Sequence, residues 1–99
     1  MTKYIEYNDS NLRGTIDIHK ESAKILYVEV HKDFRLLGKG KMIVEDFLES
    51  CREKGITLVR IDAYFEAIGF WESLQFLINK KPQIIDGYIQ DYHDGFINL

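Results

Sequence analysis

The stretch Arg35-Leu36-Leu37-Gly38-Lys39-Gly40-Lys41 has the residue types of a phosphate cradle. Glycines at 38 and 40 remove side chains where a backbone would have to approach a ligand closely. The helix start expected just beyond them offers unpaired N–H groups and a positive dipole end. Such a turn suits phosphate oxygens, and Arg35, Lys39 and Lys41 bring positive charge to the same place. Two glycines before a helix are equally the pattern of a tight strand-to-helix turn, so the loop by itself leaves both readings open.

Other reactive residue types are sparse. Cys51 is the single cysteine, which excludes an internal disulfide, and its helical neighbours offer no activating base. It reads as a small buried apolar residue. His19, His31 and His93 have no metal-ligand spacing and read as surface residues, so no metal is expected.

The elements that position the loop follow from periodicity. Residues 14–19 alternate, and 25–31 set Leu26, Val28 and Val30 against Tyr27 and Glu29, so both runs read as strands. The polar connection 20–23 makes them an antiparallel hairpin, and residues 3–7 add an edge strand. From Lys41 to Lys54 the apolar Ile43, Val44, Phe47, Leu48 and Cys51 recur at helical spacing, and Gly55 is placed to end that helix. The apolar run 56–61 predicts a strand covered on both faces, parallel to the one before the helix. A second helix is expected over 65–74, with Ala67, Phe70, Trp71 and Leu74 in one stripe. Short closing strands follow around Ile84-Ile85 and Phe96-Ile97, separated by Gly87 and Gly95. The fold class is therefore α/β, a mixed, mostly antiparallel sheet with two main helices, in a single domain over residues 1–99.

Set in this order of elements, Val30-His31-Lys32-Asp33-Phe34-Arg35-Leu36-Leu37-Gly38-Lys39-Gly40 resembles the acetyl-coenzyme A signature of the GCN5-related N-acetyltransferase (GNAT) family: a strand valine, an aromatic residue, then R-x-x-G-x-G. Ala67 and Phe70-Trp71-Glu72-Ser73-Leu74-Gln75-Phe76 are similar to the family's aromatic-Tyr-Glu-x-Leu-Gly-Phe pattern on the following helix. The resemblance spans roughly residues 14 to 79. It implies a sheet that splays open beside Val28, Glu29 and Val30, with the pantetheine arm in the opening. It also implies a pyrophosphate on amides from Arg35 to Gly40 and direct attack of an amine on the thioester. A backbone N–H near Val30 would then stabilise the oxyanion.

Two departures from the family pattern bear on catalysis. The tyrosine that protonates the leaving thiolate in many members is matched here by Trp71, and the asparagine that helps to hold the coenzyme is matched by Tyr64. An indole N–H is a poor general acid, so Trp71 reads as core or as a wall of the coenzyme channel. Tyr64 is a substitute acid from its own position, and Glu29 a candidate base, beside the plain readings of a packing aromatic and a solvent-facing carboxylate. The chain also reads as a short member, lacking most of the family's usual N-terminal part. That leaves the acceptor side open and favours a macromolecular amine, or a wall supplied by a second copy in a homodimer. A catalytically weakened coenzyme-binding or interaction module is the alternative to an enzyme.

The composition narrows the partners. The 99 residues are 45% hydrophobic and 29% charged with one proline, the make-up of a globular chain. A net charge of −3 argues against general nucleic-acid binding. All 13 Lys and Arg lie at or before Lys81, whereas residues 82–99 carry Asp86, Asp91 and Asp94 and no basic side chain. No apolar run approaches the roughly 20 residues needed to span a bilayer, and the amino terminus has no signal-peptide core, so no membrane association and a cytoplasmic location are expected.

Overall fold

The computed structural model of the chain describes residues 4–8, 12–28, 38–81 and 83–99. Leu12, Gly14 and Ile16 alternate with Arg13, Thr15 and Asp17, giving strand β2 (Leu12–Asp17) one buried side and one wet one. It pairs antiparallel with β1 (Tyr4–Asn8) on one edge and β3 (Ser22–Val28) on the other. The β2–β3 turn occupies residues 18–21, where the Glu21 N–H donates to the Ile18 carbonyl and Lys20 N–H to Asp17 Oδ1. The connection therefore lies earlier than the expected 20–23, and Ser22 and Ala23 already belong to β3.

The phase of β3 also differs from expectation. Arg13 faces Tyr27 and Gly14 faces Ile25, so Leu26 is an extra residue with no partner on β2. Such a bulge shifts the two-residue side-chain period. Ala23 and Ile25 point into the core before it, Val28 lies opposite buried Leu12 after it, and Leu26 is 58% exposed. Leu26 and Val28 do not share a face, because Leu26 is itself the inserted residue that interrupts the alternation.

Helix α1 (Lys39–Glu53) starts two residues before the expected Lys41 and buries Val44, Phe47, Leu48 and Cys51 as one stripe. It ends where expected: Gly55 takes φ 78°, and the Ile56 N–H closes the last turn on the Cys51 carbonyl at 3.0 Å. Strand β4 (Leu58–Tyr64) then lies parallel to β3. A 3-10 turn over Phe65–Ala67 leads into α2 (Ile68–Ser73), so the second helix is interrupted rather than continuous over 65–74. Four strands follow: β5 (Leu77–Ile78), β6 (Ile84–Ile85), β7 (Tyr88–Ile89) and β8 (Tyr92–Asn98).

The main sheet runs β1-β2-β3-β4-β8-β5, mostly antiparallel, and β6 and β7 form a separate exposed hairpin. Gly95 separates nothing, contrary to expectation. It sits inside β8 opposite Ile61, where a Cβ would come within 2.5 Å of Ile78 Cδ1. The ring of Phe47 reaches Gly14 in the same way, which fixes α1 against β2.

These contacts place both helices on one face of the sheet, over Ile16, Ile25, Val59, Ile61 and Ala63. The expectation that β4 is covered on both sides is corrected: Arg60, Asp62 and Tyr64 alternate with its buried residues and are exposed. Among the described residues, no helix covers that second face.

Candidate functional site

β3 and β4 pair through four positions, Ser22↔Leu58 to Ile25↔Ile61, and then part. Each strand runs on for three more residues, 26–28, of which Tyr27 and Val28 pair with β2, and 62–64, held by β8. The parting coincides with the Leu26 bulge, whose added twist turns β3 away from its neighbour. Parallel strands that separate in mid-sheet leave backbone N–H and C=O groups facing each other across a gap, and such groups need partners from elsewhere.

The start of α1 serves the same connection. Gly38 is its N-cap, in the left-handed region at φ 72°, ψ 16°, with no side chain to cap the helix. The first turn carries no acidic residue, and Lys39 and Lys41 are exposed there. Among the described residues no side chain caps the first-turn amides, which are the groups that the Gly-x-Gly spacing would offer to an anion. Val28, Gly38, Lys39, Gly40, Lys41 and Trp71 are the expected coenzyme residues that the structure describes. Glu29, Val30, Arg35, Leu36 and Leu37 lie outside the described residues.

Tyr64 ends β4, its side chain 60% exposed and its ring edge-to-face with Tyr92 at 6.5 Å. Trp71 is 7% exposed, wedged edge-to-face between Phe70 and Phe76 at 5.1 and 5.2 Å. That cluster anchors α2 to the sheet. Cys51 is fully buried, and desolvation pushes its thiol up to about 11 against the weaker opposing pull of Lys54 and Arg52. So protonated and so enclosed, it is no nucleophile.

His93 departs from the surface reading. It is the buried polar side chain on β8, and its Nδ1 lies 2.9 Å from the Asn79 carbonyl. A carbonyl only accepts, so Nδ1 carries the hydrogen and Nε2 is left without a partner among the described residues. The signal was present in the alternation His93, Gly95, Ile97, which puts the imidazole on the inward side of the strand. His19 is exposed in the β2–β3 turn, and His31 lies outside the described residues. Among the described residues, no group of His, Cys, Asp and Glu could hold a metal ion, and no helix is long and apolar enough to cross a membrane.

On the open face, Lys24 Nζ meets Asp62 Oδ2 at 2.9 Å, linking β3 to β4 at the point where they part. Asp94 lies opposite Asp62 on β8, so the lysine also offsets two adjacent carboxylates. A pair this exposed contributes at most about 1 kcal/mol.

Comparison with known proteins bears on the fold. No protein-family model matches the chain. Over 74 residues it is 31% identical to an uncharacterized protein of Bacillus subtilis, YyaT, a match covering 75% of this chain and 50% of that protein. The chain thus spans half the length of this relative. An acetyltransferase from Bacillus cereus superposes with a TM-score of 0.72 at 16% identity, over 99% of this chain and 74% of its own. A Bacillus subtilis acetyltransferase solved in complex with CoA gives 0.65 at 10% identity, over 100% of this chain and 99% of its own. The strand order, the parallel β3–β4 pair joined by α1 and these superpositions agree: the chain has the GNAT-like fold that these acetyltransferases share.

Proposed function

We propose that this chain is an N-acetyltransferase that moves an acetyl group from acetyl-CoA to a primary amine on a protein or other macromolecule. The observation that carries the reading is the parting of β3 and β4 after Ile25 and Ile61, beside a helix start free of acidic side chains. The complex of a structurally similar acetyltransferase with CoA supports it. The thioester supplies an activated acyl group and a thiolate leaving group.

The chain's own residues account for the rest. The free edges of β3 and β4 offer backbone N–H and C=O groups to an amide-containing arm, as a third strand would. The first-turn amides of α1, with Lys39, Lys41 and Arg35, hold pyrophosphate charge. Val28, Glu29 and Val30 line the arm's path, and Trp71 shapes α2 against the sheet. Gly38 and Gly40 carry no side chain to hold a phosphate off, and Leu36 and Leu37 would offer it backbone amides. Positioning supplies most of the rate, with Tyr64 as proton donor and Glu29 as a proton acceptor. The uncovered sheet face leaves room for a bulky acceptor, or for a second copy of the chain. A cytoplasmic setting is part of this proposal.

The buried position of Trp71 favours one second reading, a coenzyme-binding module without turnover, because no phenol stands at that place on α2. The two readings part on turnover. Acetyl-CoA is incubated with a panel of lysine-containing and free-amino-terminal peptides, and acetylated peptide is read by mass spectrometry. Acetylated product matched by free CoA establishes the transferase. Tight coenzyme binding with no product on any peptide establishes the module.

A further inference from the structure

At the carboxyl end of β4 lies a groove of about 480 Å³ lined by Tyr64, Phe65, Glu66, Gln90, Asp91 and His93. Tyr64 also borders the opening between β3 and β4, so groove and opening meet at the same residue. The titratable groups facing the groove come from four segments of the chain. Tyr64 belongs to β4, Glu66 to the 3-10 turn after it, and Asp91 and His93 to the β7–β8 connection and the start of β8. No lysine or arginine is among them. Neither Glu66 nor Asp91 has an ion-pair partner among the described residues.

His93 distinguishes this groove from an ordinary acidic surface. The side chain is 8% exposed, its Nδ1 is held by the Asn79 carbonyl, and Nε2 is the ring nitrogen left for the groove. Among the described residues no buried side-chain nitrogen lacks a partner, so Nε2 reaches the surface at the groove, where a ligand can use it.

We propose that this groove receives the acceptor's primary ammonium on Glu66 and Asp91, and that His93 Nε2, in place of Glu29, takes its proton, an inference that rests on the acetyl-transfer reading above. The proton passes to Nε2, and the freed nitrogen lone pair forms the C–N bond to the acyl carbon. The C–S bond breaks and its electron pair leaves on sulfur. The second nitrogen-bound proton of the adduct ends on that sulfur through Tyr64 or water, and His93 returns its own proton to solvent. Each proton is thereby placed, and no oxidant or metal is required.

The test uses a lysine peptide with a blocked amino terminus, acetyl-CoA, and the wild type beside His93→Gln and the double variant Glu66→Gln/Asp91→Asn. Glutamine keeps a donor for the Asn79 carbonyl but offers no basic nitrogen. His93→Gln is expected to lower kcat near neutral pH by about a hundredfold or more, with acetyl-CoA affinity by calorimetry unchanged. Its rate should then climb about tenfold per pH unit as the peptide's own amine loses its proton, a recovery that a structural role does not produce. The double variant should raise KM for the peptide by about tenfold with kcat held. A second readout needs no turnover: in nitrogen NMR of the wild type, the peptide should shift His93 Nε2 and leave Nδ1 in place. Wild-type kcat in His93→Gln, or a peptide that leaves Nε2 unshifted, overturns the proposal while leaving the transferase reading intact. A shifted Nε2 with no acetylation by the wild type defeats the transferase reading instead, and the groove remains an ammonium site.

Discussion

Replacing Gly38 with asparagine separates the folding role of this position from its proposed ligand role. Gly38 sits at φ 72°, a conformation that costs an ordinary L residue about 1–2 kcal/mol but is tolerated by asparagine. A Cβ added there meets no atom of the described residues within 4 Å, so none of these gives a steric reason to object. Asparagine is also among the best N-cap residues, and the change in unfolding free energy should stay within about 0.5 kcal/mol. Binding is another matter. The new side chain stands in the open space in front of the α1 amides, and its oxygen competes for the N–H groups that a phosphate needs. Affinity for acetyl-CoA should fall by at least about tenfold, or 1.4 kcal/mol. Gly38→Val should lose both properties, because a β-branched residue is strained in the left-handed region as well as bulky. Calorimetric titration gives the affinities and urea midpoints give the stabilities. Wild-type affinity in a folded Gly38→Asn protein would refute the placement of the phosphates.

Gly14→Ala should destabilise by about 1–3 kcal/mol in urea unfolding, because the new methyl lands 2.9 Å from Phe47 Cζ and 3.0 Å from the Lys24 carbonyl oxygen. Phe47→Ala, emptying a fully buried ring position, should cost about 3–5 kcal/mol, and an unchanged midpoint would mean that α1 does not pack on β2. Cys51 gives a pH dependence. Its thiol holds its proton more tightly folded than unfolded, so its contribution is fully present below about 9 and is lost as pH rises through about 11. Wild type should lose about 2–3 kcal/mol more than Cys51→Ala over that interval, and parallel pH profiles would contradict the burial argument. In acetylation assays Trp71→Phe should retain most activity and Tyr64→Phe should lose about tenfold or more. A fall of about a hundredfold in Trp71→Phe with coenzyme binding intact would return the acid role to α2.

The parts of this fold that were legible in sequence are those where one residue type forces one conformation or one face. The α1 stripe from Val44 to Cys51 and the stop at Gly55 are of that kind, as is the hairpin of β2 and β3. The details that failed depend on pairing across strands. Leu26 reads as an ordinary member of an alternating strand until its neighbour shows that it is an extra residue. The run 56–61 looks apolar enough for two covered faces, and only the position of the helices shows that Arg60 and Asp62 begin an open one. Gly95 resembles a turn glycine by composition, yet its role is to let Ile78 approach β8. His93 reads as a surface residue by type, although its alternation with Gly95 and Ile97 points inward, and alternation says nothing of the Asn79 carbonyl that fixes its ring. The stretch Arg35 to Lys41 resembles a phosphate-binding motif in sequence, whereas the parting of β3 and β4, on which the proposed use of that motif rests, is a property of two strands distant in sequence.

The most direct test of the central claim, that this parting receives an acyl-coenzyme, is amide NMR of the protein titrated with acetyl-CoA. The account predicts saturable shifts at Leu26 to Val28, at Asp62 to Tyr64 and at Gly38 to Lys41, with the far edge around β1 unchanged. Shifts confined to other surfaces, or none at millimolar ligand, would contradict it.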